Sequence, residues 1–276
     1  MGTKTSVRDS MAGWGRHAYG QHIYGCGLMA MGALSLAWGD FVTGQSAPAG
    51  LPYRSFLAYA AGAVMILAGA GIQWRRTVTA SAVAIIAYFM VVVMIVMDGA
   101  ELVANLTVYG EYESAAEQFA IAAAALIVFA AHARIGDVAA ARLTRIGQII
   151  LGLCAIVFGG AHFAYMNLTV PLVPKWLPPS QIFWAYATGI GHIAAGLALL
   201  SGIQARLAAI LLTAMYAGFQ FLVHLPMLVA DPSNHYIWGE NAINLALTGA
   251  AWIVADSLAP RPAKPEVDAD GDVCAI

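Results

Sequence analysis

The stretch that decides the fold is GQHIYGCGLMAMGALSLAWGDFVTGQSAPAGLPYRSFLAYAAGAVMILAG, residues 20–69. It recurs without a gap, 127 positions later, as GQIILGLCAIVFGGAHFAYMNLTVPLVPKWLPPSQIFWAYATGIGHIAAG, residues 147–196. Fifteen of the 50 aligned pairs are identical, among them Gly20/Gly147, Gln21/Gln148, Gly25/Gly152, Gly32/Gly159, Tyr59/Tyr186, Gly62/Gly189 and Gly69/Gly196. Self-similarity of this kind signifies one structural unit used twice. Differences between the two copies then become informative.

The recurring glycines carry a packing rule. Gly25 and Gly32 lie seven residues apart, as do Gly62 and Gly69, Gly152 and Gly159, and Gly189 and Gly196. Seven residues is about two helical turns, so each pair shares one helix face and lets another backbone approach closely. The first two helices of each repeat are therefore expected to pack through these grooves.

Composition places the chain in lipid. Of its 276 residues, 61% are hydrophobic and 10% charged, and the mean hydropathy is +0.73. A bilayer crossing needs about 20 mainly apolar residues, and eight such spans fit, centred near residues 30, 63, 88, 123, 155, 190, 217 and 248. The reading is an all-α polytopic membrane protein of eight transmembrane helices in two parallel four-helix repeats, residues 19–133 and 146–258. A cytoplasmic segment, 1–18, precedes them and a Pro-rich, acidic, disordered tail, 259–276, follows.

Charge sets the expected orientation. With eight crossings, Lys4, Arg8, Arg16, Arg75, Arg76, Arg134, Arg142, Arg145, Arg206, Arg261 and Lys264 fall on one side, and Arg54 and Lys175 on the other. The positive-inside rule puts both termini in the cytoplasm of a bacterial-type inner membrane. The basic first 18 residues lead into a full-length span, so a cleaved signal peptide is not expected. Cys26, Cys154 and Cys274 are too few and too scattered for a disulfide framework or a zinc motif and read as packing residues.

Polar residues separate the copies. His162 stands where the first copy has Ser35, and His192 where it has Met65. His224 lies in the seventh span, and the eighth opens with Glu240, Asn241 and Asn244. Ionisable groups at membrane depth face a bundle interior and mark functional sites by default. A pocket open toward the outside is expected in the second repeat, lined by His162, His192 and His224, with Glu240 at its mouth binding or passing protons and Asn241 and Asn244 orienting the histidines. Imidazole and carboxylate together suit proton relay to a quinone head group. Haem or metal ligation by the histidines is the alternative chemistry, without a supporting spacing motif. Met90, Met94 and Met97 on the third helix read as core packing. Glu117, which matches Glu240 at an offset of 123, reads as a structural charge at a helix start.

The second repeat resembles the DoxX-like family of small four-helix membrane proteins. The carrying residues are GLCAIVFGGAHF, the loop LVPKWLPP, WAYATGIGHIAAGLALLSGIQARLAA and WGENAINLALTGAAWIVADSL, and the resemblance covers Gly147 to Leu258. The first repeat, Tyr19 to Ala133, keeps the scaffold more weakly. The family takes its name from a subunit associated with a membrane thiosulfate to quinone oxidoreductase. In its pattern a Glu is common where His192 stands and a Lys near His162.

Together these readings predict a redox-associated or quinone- or small-lipophile-binding subunit, with membrane lipid and a redox partner protein as its surroundings. A transporter of a small metabolite or ion and a non-catalytic assembly factor are the alternatives. No nucleic-acid patch, phosphate-binding loop or hydrolase nucleophile motif is present in the sequence.

Overall fold

Apolar runs interrupted by small residues give helices throughout. A computed structural model describes residues 19–48 and 50–260. Its helices are α1 (Tyr19–Trp38), α2 (Arg54–Gly71), α3 (Val78–Ala87), α4 (Gly99–Ala104), α5 (Tyr109–His132), α6 (Asp137–Ala164), α7 (Met166–Leu172), α8 (Gln181–Ser201), α9 (Ala205–Phe219), α10 (Leu225–Ala230) and α11 (His235–Ser257). Two π-helical stretches, Tyr88–Asp98 and Gln220–His224, carry α3 into α4 and α9 into α10. Segment 1–18 and residues 261–276 of the tail lie outside the described residues, with the charges and Cys274 assigned to them.

Among the described residues, six helices are long and apolar enough to cross a membrane: Arg54–Gly71, Val78–Ile95, Tyr109–His132, Asp137–Ala164, Gln181–Ser201 and Ala205–Ala230. The first and last helices, α1 and α11, have 20 and 23 residues. At 1.5 Å per residue each reaches about 30 Å or more. They carry more polar side chains, Gln21 and His22 in one and Glu240, Asn241, Asn244 and Asp256 in the other. In α11 neighbouring helices shelter most of the surface, from Ile237 to Ala255, so its polar residues need not meet lipid.

Sequence neighbours pack side by side. The order runs α1, α2, α3, α5, α6, α8, α9, α11, and α11 closes back onto α1. Contact between α5 and α11 pinches this ring into two lobes. One end gathers the start of α1 and the ends of α2, α8 and α11. There Gln21 donates to the Ile72 carbonyl, Gln148 donates to Ser257, and Arg145 donates to the Leu199 and Leu200 carbonyls at 2.8 and 2.7 Å. Gln21 and Arg145 thereby satisfy carbonyls that a helix end leaves without partners. Arg75, Arg76, Arg134, Arg142 and Arg206 flank the same end by chain order.

The glycine grooves close as the spacing predicts. A Cβ on Gly25 would stand 2.6 Å from the Gly69 carbonyl oxygen, and one on Gly32 would stand 2.5 Å from that of Gly62. In the second half, a Cβ on Gly196 would stand 2.5 Å from the Gly152 oxygen and one on Gly159 2.7 Å from the Gly189 oxygen. Gly20 and Gly147 share another task, each facing the last long helix of the opposite half, at Trp252 and at Ala123 and Ile127.

Some details differ from the sequence reading. Cys26 is exposed on α1, whereas Cys154 is buried. Met90, Met94 and Met97 do pack in the core, but within the π-helical stretch, so their spacing is not that of an α-helical stripe. The connection after α6, expected as a loop, contains the short helix α7 with Pro171 inside it.

Backbone contact at the crossings makes one added methyl costly. Gly196→Ala is expected to lower stability by about 1–3 kcal/mol through overpacking. Gly218→Ala, where an added Cβ meets nothing within 4 Å, is expected to leave it unchanged or raise it, since alanine favours the helix. Thermal melting of both variants in detergent, read by tryptophan fluorescence, checks the opposite signs.

Candidate functional site

The crossing of α6 and α8 builds the site. His162 follows Gly159 by three residues and His192 follows Gly189 by three, so each histidine lies on its own helix's glycine face. The absent glycine side chains make the room. A Cβ on Gly189 would lie 3.0 Å from the His162 Cβ, and one on Gly159 would lie 3.1 Å from the His192 Cβ. Each histidine therefore sits over the other helix's glycine, and the two rings come within 4.9 Å, centroid to centroid, tilted by 50°. Phe219 of α9 packs against both, at 6.2 and 5.9 Å.

Both imidazoles are held by their own helices. Nδ1 of His162 lies 2.9 Å from the Phe158 carbonyl oxygen, and Nδ1 of His192 lies 2.9 Å from that of Thr188. A carbonyl only accepts, so each Nδ1 carries a proton and donates it. Neither Nε2 is a sealed, partnerless atom, and both rings line a cavity of about 500 Å³. Apolar side chains such as Phe158, Leu172, Trp184, Met215 and Leu222 form much of its wall. Glu113 and Glu117 of α5 and Glu240 of α11 add carboxylates from two sides.

Of the residues singled out in the sequence, His162, His192, His224, Glu240 and Asn244 line this one cavity. His224 shares it at the π-helical stretch, apart from the two imidazoles that touch. Asn241 does not line it. The asparagines were expected to orient the histidines, and here the structure differs. The Gln220 amide donates to Asn241, while Asn244 donates to the Gln220 side chain at 2.8 Å and to the Tyr216 carbonyl at 3.0 Å. A π turn disturbs the regular helical ladder, and Asn244 supplies a partner to a carbonyl next to that break. Gln220 has no counterpart signal in the sequence, and Glu113 and Glu117 come from the first half. Glu117, read in the sequence as a structural charge, stands at the cavity wall.

The outer connections explain why one lobe is hollow. In the first half the segment after α1 folds inward: Phe41, Val42 and Gln45 are buried, Gln45 accepts from the Tyr88 hydroxyl at 2.8 Å, and its amide reaches Met65 Sδ. Arg54 fastens this plug, pairing with Asp40 at 2.8 Å and donating to the Ala47 carbonyl. The second half makes α7 and a proline-rich arch instead. The Gln181 amide donates to the Val170 and Val173 carbonyls and holds the arch outside the bundle. A smaller slot of about 380 Å³ opens between the arch and the π-helical stretch with α10, and shares Leu172, Val173, Pro174, Leu222 and Val223 with the main cavity.

Metal and haem fit this arrangement poorly. Among the described residues no group of three His, Cys, Asp or Glu side chains is placed to hold a metal ion. The two imidazoles touch each other instead of facing one another across a space for a macrocycle.

A family profile described as "Domain of unknown function (DUF8561)" matches residues 151–255. The match takes in His162, His192, His224, Glu240, Asn241 and Asn244, and leaves Glu113 and Glu117 outside it. No curated protein and no solved structure matches the chain.

If Asn244 holds the π turn, Asn244→Ala leaves the Gln220 side-chain oxygen without its buried donor and the Tyr216 carbonyl with its backbone partner alone. The expected cost is about 1–3 kcal/mol, read as a lowered melting temperature in detergent.

Proposed function

We propose that the chain is an integral membrane protein of eight crossing helices, two parallel DoxX-like four-helix repeats, with both termini in the cytoplasm. Its second-half cavity binds a small lipophile with a polar head, and a quinone is the redox-active candidate. On this reading the protein is a redox-associated subunit of a bacterial-type inner membrane. One observation carries it: a cavity of about 500 Å³ combines apolar walls with three imidazoles and three carboxylates. That volume and chemistry fall within the ordinary range of small-molecule sites. The adjoining slot beside the arch gives an apolar route from the lipid side of the π-helical stretch and α10.

The expected arrangement of charges supports the orientation. Arg75, Arg76, Arg134, Arg142, Arg145 and Arg206 share one side, against Arg54 and Lys175 on the other, which is the bias that directs cytoplasmic loops. In a cysteine-free background, Lys175→Cys is expected to react with an impermeant maleimide on intact cells, and Arg206→Cys only after permeabilisation. The reverse pattern defeats the orientation.

Gly218 lines the cavity and faces open space, so Gly218→Leu fills the cavity without a backbone clash. Organic extraction and mass spectrometry of the purified wild-type protein are expected to yield a bound lipophile in roughly stoichiometric amount. Gly218→Leu, melting like the wild type, is expected to lack it. Equal content in both proteins, or none in either, defeats the binding reading.

A further inference from the structure

Hydrogen-bond accounting at the imidazole pair narrows the ligand class, and this step rests on reading the cavity as a binding site. The donors around His162 and His192 are already committed. Each Nδ1–H goes to a carbonyl of its own helix. The Thr188 hydroxyl donates to the Trp184 carbonyl at 2.7 Å, and the Trp184 indole to the Pro178 carbonyl at 2.8 Å. Asn244 spends its amide hydrogens on Tyr216 and Gln220. The Tyr216 hydroxyl is sealed from the cavity. A neutral imidazole that donates from Nδ1 keeps a bare lone pair on Nε2. The imidazole pair thus presents two acceptors and no free donor.

We infer that the imidazole pair of the cavity selects an apolar molecule whose head donates a hydrogen bond, a hydroxyl on an aromatic or aliphatic body, and discriminates against the same molecule with that hydrogen replaced by methyl. The discrimination follows from asymmetry in hydrogen bonding. An ether oxygen brings a second acceptor against Nε2 and leaves both unpaired, which costs more than a hydrogen bond gains. A site built to pair with a hydroxyl rejects analogues that lack it strongly for the same reason. In the first half the equivalent positions are Ser35 and Met65, both buried, and the plug fills the space around Met65, so the property belongs to the second half alone.

The test uses 4-heptylphenol and its methyl ether, 4-heptylanisole, titrated calorimetrically into the full-length protein in detergent. The phenol is expected to bind at least about tenfold more tightly, a difference of one hydrogen bond. His162→Ser combined with His192→Met, the side chains of the first half, is expected to bring the two affinities together. Should that variant fold poorly, nitrogen-15 spectra of histidine-labelled wild type supply a second readout: the phenol is expected to shift an Nε2 resonance of the pair and the ether neither. Equal binding of phenol and ether to the wild type overturns the donor preference and leaves the lipophile site standing. Binding of neither, with Gly218→Leu behaving identically, overturns the site itself and the inference with it.

Discussion

Everything in this bundle depends on backbone approaching backbone at four glycine crossings. Lipid offers helices no hydrophobic reason to associate, so close van der Waals contact over small residues takes that role. At Gly32 and Gly62, and at Gly159 and Gly189, the approach is so close that a single Cβ would overlap a carbonyl oxygen. The same crossings decide what stands beside them. A residue three positions beyond each glycine lies on the same face and is pushed against the opposite helix. In the first half those residues are Ser35 and Met65; in the second they are His162 and His192. One packing rule therefore makes a filled seam in one copy and an imidazole pair in the other.

The two halves also show why polar residues alone do not make a cavity. The crossing geometry is shared, yet the first lobe is plugged by its own outer segment, with Phe41, Val42 and Gln45 inside. Replacing Met65 by histidine there would set an imidazole against Gln45, not against open space. The second lobe stays hollow because α7 forms and the Gln181 amide takes the Val170 and Val173 carbonyls. Those bonds are local, spanning 11 and 8 residues, so the arch can be held outside without help from the bundle.

Legibility in the sequence followed the range of the interactions. Helix composition and the glycine grooves rest on spacing within helices, and spacing can be read from residues in a row. Gln220 could not be found that way, because its role exists only where a π turn meets α11. Glu113 and Glu117 were hidden for a different reason. Divergence between the copies points to the second repeat alone, whereas α5 packs on both α6 and α11 and turns its carboxylates into the neighbouring lobe. The inward fold of residues 40–48 was equally silent, since its Pro and Gly content describes any loop.

The borrowed carboxylates bear on why the unit occurs twice in one chain. Were the two copies independent bundles, a cavity in the second would be lined by the second alone. Here α11 closes on α1 and α5 packs between the lobes, so each half supplies its last long helix to the other's surroundings. Glu113 and Glu117 enter the second cavity through that exchange. A single four-helix unit pairing with an identical copy would place the same carboxylates and the same histidines in both lobes. Fusing the copies removes this constraint. One lobe is then free to fill with a plug while the other keeps imidazoles and open volume, and this asymmetry leaves undisturbed the crossings on which both lobes depend.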